Sequence, residues 1–179
     1  MRVIGLAGWS GAGKTTLLTR LIPHFREQGL RVSVIKHAHH DFDIDVPGKD
    51  SWRHRQAGAE EVLVASGNRW ALMHELREAP EPRLTELLSK MSQVDLVVVE
   101  GFKSEPYRKI EVYRVANGKA YLFPEDPGIV GIAADAAVQT ALPVAHLDDI
   151  PAIAAMMQRA ALPVEEVLAR SSGTGMDSA

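Results

Sequence analysis

The stretch Gly8-Trp9-Ser10-Gly11-Ala12-Gly13-Lys14-Thr15 fits the pattern G-x-x-x-x-G-K-[ST], a loop that cradles phosphate groups. Its flanks agree with that reading. Arg2-Val3-Ile4-Gly5-Leu6-Ala7 reads as a short buried strand. Thr15 to Gln28 reads as a helix with Leu17, Leu18, Leu21, Ile22 and Phe25 on one face. Strand, glycine-rich loop and helix in this order place successive N–H groups around an anion, at the positive end of a helix dipole. Gly8, Trp9, Ser10, Gly11, Ala12, Gly13, Lys14, Thr15 and Thr16 are therefore the expected nucleotide-binding residues. Lys14 should reach the terminal phosphates, and the Thr15 hydroxyl should hold Mg²⁺.

A second stretch belongs with the first. Asp95-Leu96-Val97-Val98-Val99-Glu100-Gly101-Phe102-Lys103 is an apolar run ending in an acid, the pattern of a buried parallel strand. Glu100 would emerge beside the phosphate loop like the metal-associated acid of a Walker B strand. Two roles are open for it: holding Mg²⁺ through a water, or orienting the attacking water.

Between them lies His37-Ala38-His39-His40-Asp41-Phe42-Asp43-Ile44-Asp45-Val46-Pro47-Gly48-Lys49-Asp50-Ser51, too polar and too rich in turn residues for a core element. An EF-hand is excluded, because Val46 stands where such a loop needs Gly and Trp52 where it needs Glu. His37, His39 and His40 are candidate zinc ligands, although a surface loop shaping a nucleotide site explains them better. Asp50 or Ser51 is the expected N-cap of a helix over Trp52–Ala57 that Gly58 ends. Lys49 and Arg53 share a face of it, either solvated or turned to a phosphorylated ligand.

The rest of the chain reads as alternating elements. Pro23 should kink or break the first helix. Glu61–Ala65 and Arg69–Met73 read as a hairpin. A helix opened by Pro80-Glu81-Pro82 carries Leu84, Leu87, Leu88 and Met91. Lys109–Val115 and Ala120–Phe123 read as two strands about an Asn117-Gly118 turn. Asn117-Gly118-Lys119-Ala120 looks superficially like the guanine-reading Asn-Lys-x-Asp of many GTPases, but it lacks the Asp and is read only as a turn. Ile129–Ala133 and Val144–Leu147 are further strands, and a helix starts at Asp148 with Pro151 in its first turn.

Composition narrows the classes. The 179 residues are 46% hydrophobic and 24% charged, with a net charge of −3 and no cysteine. That balance argues against nucleic acid or an anionic membrane as the main partner. It excludes disulfides, thiolate zinc sites and cysteine nucleophiles. No apolar run reaches about 18 residues. The chain opens directly on its first strand, so a cytoplasmic protein is expected. The expected fold is α/β: a three-layer α/β/α P-loop NTPase with a mostly parallel sheet and a β-hairpin extension. It would form a single nucleotide-binding domain over residues 1–170, with a disordered tail over 171–179.

Several stretches together resemble one family, the molybdopterin-guanine dinucleotide biosynthesis protein B (MobB) family. They are the phosphate loop with Thr15-Thr16-Leu17, Val34-Ile35-Lys36-His37, the histidine–aspartate stretch through Ser51, Arg53–Ala59, Val99–Lys103 and Lys109–Val112. The resemblance reaches about Arg170. It implies a GTP-binding protein of molybdenum cofactor biosynthesis, similar to the SIMIBI branch of P-loop proteins. It further implies weak GTP hydrolysis with Mg²⁺, a homodimer, and partnership with the guanylyltransferase that attaches GMP to molybdopterin. Molybdopterin is itself a candidate ligand. By the same resemblance Lys14, Glu100 and Asp45 carry catalysis; Thr15, Glu100 and Asp45 hold the metal; and the Asp41–Asp45 loop acts as a switch. Trp9 stands where related ATPases carry a second lysine, which argues against activation by a lysine in trans.

Three other readings share the loop. A small-molecule kinase would use Asp43 or Asp45 as base. A metal-delivery GTPase would use His37, His39 and His40. A non-catalytic adapter would use nucleotide only to set a conformation. No arginine finger is evident, and Arg53 and Arg55 are the candidates within the chain.

Overall fold

The computed structural model describes residues 1–38, 42–102 and 105–172. In chain order the elements are β1 (Arg2–Ala7), α1 (Lys14–Glu27), β2 (Val32–Lys36), α2 (Asp50–Gln56), β3 (Glu61–Ala65), β4 (Trp70–His74), α3 (Leu84–Lys90), β5 (Leu96–Glu100), β6 (Lys109–Tyr113), β7 (Ile129–Ala134), β8 (Val144–His146), α4 (Ile150–Ala160), β9 (Leu162–Pro163) and α5 (Val164–Ser172). The chain divides into two compact units, one of Met1–His37 with Leu84–Ala179 and one of Ala38–Arg83.

The first unit is the expected α/β layer structure. Its sheet runs β2-β5-β1-β6-β7-β8, all parallel, and β9 adds a short antiparallel pair to β1. Side chains alternate across each strand, so each strand feeds two cores. Ile4, Leu6, Leu96 and Val98 join Leu17, Leu21 and Phe25 of α1 and Ile153 and Met157 of α4. Val3, Val97 and Val99 join Leu84 and Leu88 of α3 and Val164 and Val167 of α5. β5 is buried along its whole length, which is why it reads as an unbroken apolar run.

The proline at 23 does not break α1, which runs through it. The proline removes one backbone donor, while Leu21 and Phe25 on either side are fully buried and hold the helix to the sheet. Leu30 N–H bonds Phe25 O and Gly29 N–H bonds Arg26 O, closing the helix at Gly29, whose φ is 82°.

The expected hairpin at Asn117-Gly118 does not form. β6 already pairs with β1 on one edge and β7 on the other, so no edge is free for a returning strand. Val115–Asn117 is a single 3-10 turn, and residues 120–123 are not a strand. The Leu122 and Phe123 N–H groups instead donate to the two oxygens of Glu111, at 2.7 and 2.9 Å. Glu111 is completely buried. Burial pushes its carboxyl above the usual range, and these two hydrogen bonds oppose the shift. The α5 helix and β9 had no counterpart in the sequence reading.

The second unit holds α2 and the β3–β4 hairpin, paired from Glu61↔His74 to Ala65↔Trp70. None of its described residues is fully buried. A polar cluster stands where an apolar core would be. The Arg55 guanidinium donates to Asp43 (2.8 Å), Asp45 (3.1 Å) and Glu75 (2.6 Å) and is only 11% exposed. The Ser51 hydroxyl also donates to Asp45, at 2.7 Å. The N-cap of α2 is therefore Lys49, and neither Asp50 nor Ser51 caps it.

The Arg55 contact holds the Asp43 carboxyl below the usual range. At Asp45 burial opposes the same shift, and Ser51, the Val46 N–H and Arg55 outweigh it. Carboxylates with lowered folded-state values stabilise the fold above their unfolded value and lose that contribution as pH falls through the folded one. Acidification below the ordinary value of 3.8 should therefore loosen this unit, read as lower amide protection factors at Asp45–Arg55, each taken against the intrinsic exchange rate at that pH. Unchanged protection factors between neutral and acid pH would refute this role for the cluster.

Candidate functional site

The register of the sheet assembles the site. Leu6 of β1 lies level with Glu100 of β5, and Lys36 of β2 lies level with Glu100 on its other side. Glu100 continues the Leu96–Val98 face, the face that α1 covers. The Thr15 hydroxyl, in the first turn of α1, donates to Glu100 Oε1 at 3.1 Å. Residues 85 positions apart thus meet at the carboxyl edge of two adjacent strands. Glu100 is 8% exposed. The turn beyond it is tight: Phe102 takes a positive φ of 50°, and the Tyr107 hydroxyl donates to Gly101 O at 2.6 Å.

The loop between β1 and α1 has the form of an anion cradle. Gly8 has φ 146°, and a Cβ there would meet Val112 O of β6 at 2.5 Å, so only glycine lets the loop leave the sheet this close to its neighbour. Gly8→Ala should cost about 1–3 kcal/mol through that overlap, seen as a lower melting temperature. A melting point equal to wild type would show that β6 gives way instead. Gly13, with φ 91° and ψ 20°, precedes α1, which has no side-chain cap and no acid in its first turn. The positive end of that helix is left for a ligand.

Lys14 Nζ donates to Gly8 O (2.9 Å) and Trp9 O (3.0 Å), folded over its own loop. Ser10 and Thr16 are exposed on the rim, and Ala12 is buried beneath it. The glycine cradle, the lysine across it and the Thr15–Glu100 pair suit a nucleotide triphosphate with a hard divalent cation. The cation would take oxygen ligands from Thr15 and, directly or through water, Glu100.

The other acid of the predicted site, Asp45, lies in the second unit, where Ser51, the Val46 N–H and Arg55 take up its carboxylate. Asp43 is held by Arg55 as well. Lowered pKa values make both poor proton acceptors, which weakens the kinase reading that needed one as base. Arg55, with three carboxylate partners, is committed to this cluster, whereas Arg53 is exposed. His37 stacks on Phe102 with ring centroids 4.7 Å apart. His39, His40, Asp41 and Lys103 lie outside the described residues. Among the described residues no group of three or more His, Asp or Glu is placed to hold a metal.

Sequence reasoning missed the residues behind the loop. The Asn117 amide donates to Ser10 O at 3.1 Å, and Trp9 Nε1 donates to Ala120 O at 2.8 Å. Lys119 Nζ sits 5.9 Å from the Trp9 ring centroid. Segment 114–123 is a strap braced against the phosphate loop and tied at its far end to Glu111. The only sequence signal was the Asn-Gly-Lys stretch, which reads as a turn in isolation.

Comparison with known proteins agrees with this architecture. Residues 3–135 match the family model for molybdopterin guanine dinucleotide synthesis protein B, MobB. The chain is 42% identical over 158 residues to the molybdopterin-guanine dinucleotide biosynthesis adapter protein of Escherichia coli, covering 85% of this chain and 89% of that protein. It is 40% identical to the adapter protein of the same name from Haemophilus influenzae, covering 85% of each. A crystal structure of molybdopterin-guanine biosynthesis protein B superposes with a TM-score of 0.71 at 28% identity, over 88% of this chain and 98% of that one. The Bacillus subtilis MobB structure, at 24% identity and a TM-score of 0.69, shares the fold. Matched by the family model over most of its length and by full-length relatives, this chain belongs to the MobB family.

Proposed function

We propose that this protein binds GTP with Mg²⁺ at the Gly8–Thr16 loop, hydrolyses it slowly, and acts as an adapter in the assembly of molybdopterin guanine dinucleotide. The observation that carries the proposal is the Thr15–Glu100 contact at 3.1 Å beside a glycine cradle spanned by Lys14. The adapter role is carried over from the names of the relatives at 40–42% identity. In this reading its partner is the guanylyltransferase that joins GMP to molybdopterin, and a homodimer is the working form.

The chain's own residues have separable tasks. The loop N–H groups and the uncapped start of α1 bind phosphate oxygens. Lys14 exchanges two neutral carbonyl acceptors for anionic phosphate, a stronger charge-assisted contact. Thr15 and Glu100 hold the cation and its water. When bound, Mg²⁺ neutralises charge that develops on the phosphates. Hydrolysis would be slow in this reading because Arg55, one of the two arginine-finger candidates, is held by three carboxylates.

Titration calorimetry with the wild type and Glu100→Gln tests the proposal. The wild type should bind GTP more tightly with Mg²⁺ than without. Glu100→Gln should lose most of that enhancement, about tenfold, while keeping metal-free binding. Equal Mg²⁺ enhancement in both proteins would remove Glu100 from the metal site. The adapter role is tested by co-purification with the guanylyltransferase, expected to be stronger with GTP bound. No association with or without nucleotide would refute it.

A further inference from the structure

The Asn117-Gly118-Lys119-Ala120 stretch lacks the acid needed to read a guanine base. The fold supplies an acid from elsewhere. β1 and β6 are adjacent, yet the chain leaves them in opposite directions, toward β2 and toward β7 and β8. Their carboxyl ends therefore form a topological switch point, where α/β sheets bind ligands. The phosphate loop follows β1 there. Arg114 and the strap follow β6, and Asp135 follows β7 directly.

These parts touch. Arg114 lies over Gly13: a Cβ at that glycine would come within 3.3 Å of Arg114 Nη2. Arg114 Nη1 is 3.8 Å from Asp135 Oδ2, and the Val115 N–H donates to Asp135 Oδ1 at 2.9 Å. One guanidinium thus separates the phosphate loop from the Asp135 carboxylate. Asn117 meanwhile ties the strap to Ser10 O.

Other acids at this edge are engaged. Asp148 pairs with Arg20 at 2.9 Å, Asp149 caps α4 through the Ala152 N–H at 3.0 Å, and Glu111 is buried under the strap. Asp135 is 26% exposed. Its one short bond uses Oδ1, and an ionised carboxylate accepts at both oxygens.

We propose that Asp135 is the specificity-determining residue of the nucleotide site, accepting from the N1–H and 2-amino donors of guanine. The inference rests on the nucleotide-binding reading above. Guanine presents two donors on that edge and a carboxylate presents two acceptors. Adenine presents a ring acceptor at N1, which meets the carboxylate with repulsion and leaves it unpaired. Arg114 positions the carboxylate between base and phosphate loop.

The test uses the full chain, calorimetry, and GTP, ATP, ITP and XTP. The wild type should bind GTP at least about tenfold more tightly than ATP, and also more tightly than ITP, which lacks the 2-amino group. Asp135→Asn keeps an oxygen for the Val115 N–H and turns the outer oxygen into a donor. It should lose GTP affinity about tenfold and bind XTP more tightly than GTP, since xanthine carries a 2-oxo group. A residue that merely supported the strap would not reverse that preference. Wild-type binding of GTP, ATP and ITP with equal affinity would overturn the inference and leave nucleotide binding intact. So would an Asp135→Asn variant with unchanged preference. Absence of all nucleotide binding would overturn both readings. Should the variant fail to fold, the ITP comparison decides on the wild type alone.

Discussion

Lys14→Ala should lower GTP affinity by about 100-fold or more. The lysine makes two hydrogen bonds to its own loop, at 2.9 and 3.0 Å, so its ammonium is held across the cradle. Hydrogen bonds to charged groups contribute roughly 1.5–3 kcal/mol each, and two directed at phosphate amount to about 3 kcal/mol or more, a hundredfold in affinity. ATP should suffer equally if it binds at all, because Lys14 faces phosphate and not base. The fold should survive, since the half-buried lysine sits on a loop rim outside both cores. Calorimetry gives the affinity and thermal unfolding gives the control. An affinity within about threefold of wild type, in a protein that melts normally, would show that the loop does not bind the triphosphate in this way.

Glu111→Ala should have the largest effect on stability. The carboxylate is fully buried in β6 and is the acceptor for two consecutive backbone N–H groups of the strap. Removing it leaves both donors without that acceptor and opens a cavity beside the central strands. Each unmet donor costs about 1–3 kcal/mol, but Leu122 and Phe123 are only half-buried and water meets part of the need. A net loss of about 3 kcal/mol follows, a fall of roughly 6–12 °C in melting temperature for a chain of this size. GTP affinity should fall with it, because the freed strap no longer braces Trp9 and Ser10.

Glu111→Gln tests the role of charge. Glutamine keeps the volume but turns one acceptor into a donor facing an N–H. Burial raises the Glu111 carboxyl in the folded protein. Its contribution is then fully present below the unfolded value near 4.5 and is lost as pH rises through the folded one. The deficit of Glu111→Gln against wild type should therefore narrow from pH 4 to pH 8. A widening deficit would mean that the two N–H bonds outweigh burial and hold the carboxyl low.

Much of the first unit was legible in advance. Local pattern decides where a strand, a glycine loop and a helix follow one another, because the backbone demands of that loop leave few other residue choices. The unbroken apolar run of β5 and its terminal Glu100 were equally plain, since a strand buried on both faces admits nothing else. The hairpin of β3 and β4 followed from alternation about a short turn. The failures share a cause. Asn117-Gly118 has the chemistry of a hairpin turn, but β6 had both edges taken. Pro23 should break a helix, but two buried neighbours hold the helix together. Ser51 has the chemistry of an N-cap, but its hydroxyl went to Asp45.

By itself the sequence determined the phosphate loop, its Lys14 and Thr15, the acid at the end of a buried strand, and the α/β class, because each is a local pattern whose physical demands are met within a few residues. Only the tertiary structure decided that Glu100 meets Thr15, that Arg55 gathers Asp43, Asp45 and Glu75, and that Arg114, Asn117 and Asp135 line up behind the loop. Those contacts join residues 10 to more than 100 positions apart. Strand order and register bring the first and last sets together, and no spacing rule along a single chain encodes them.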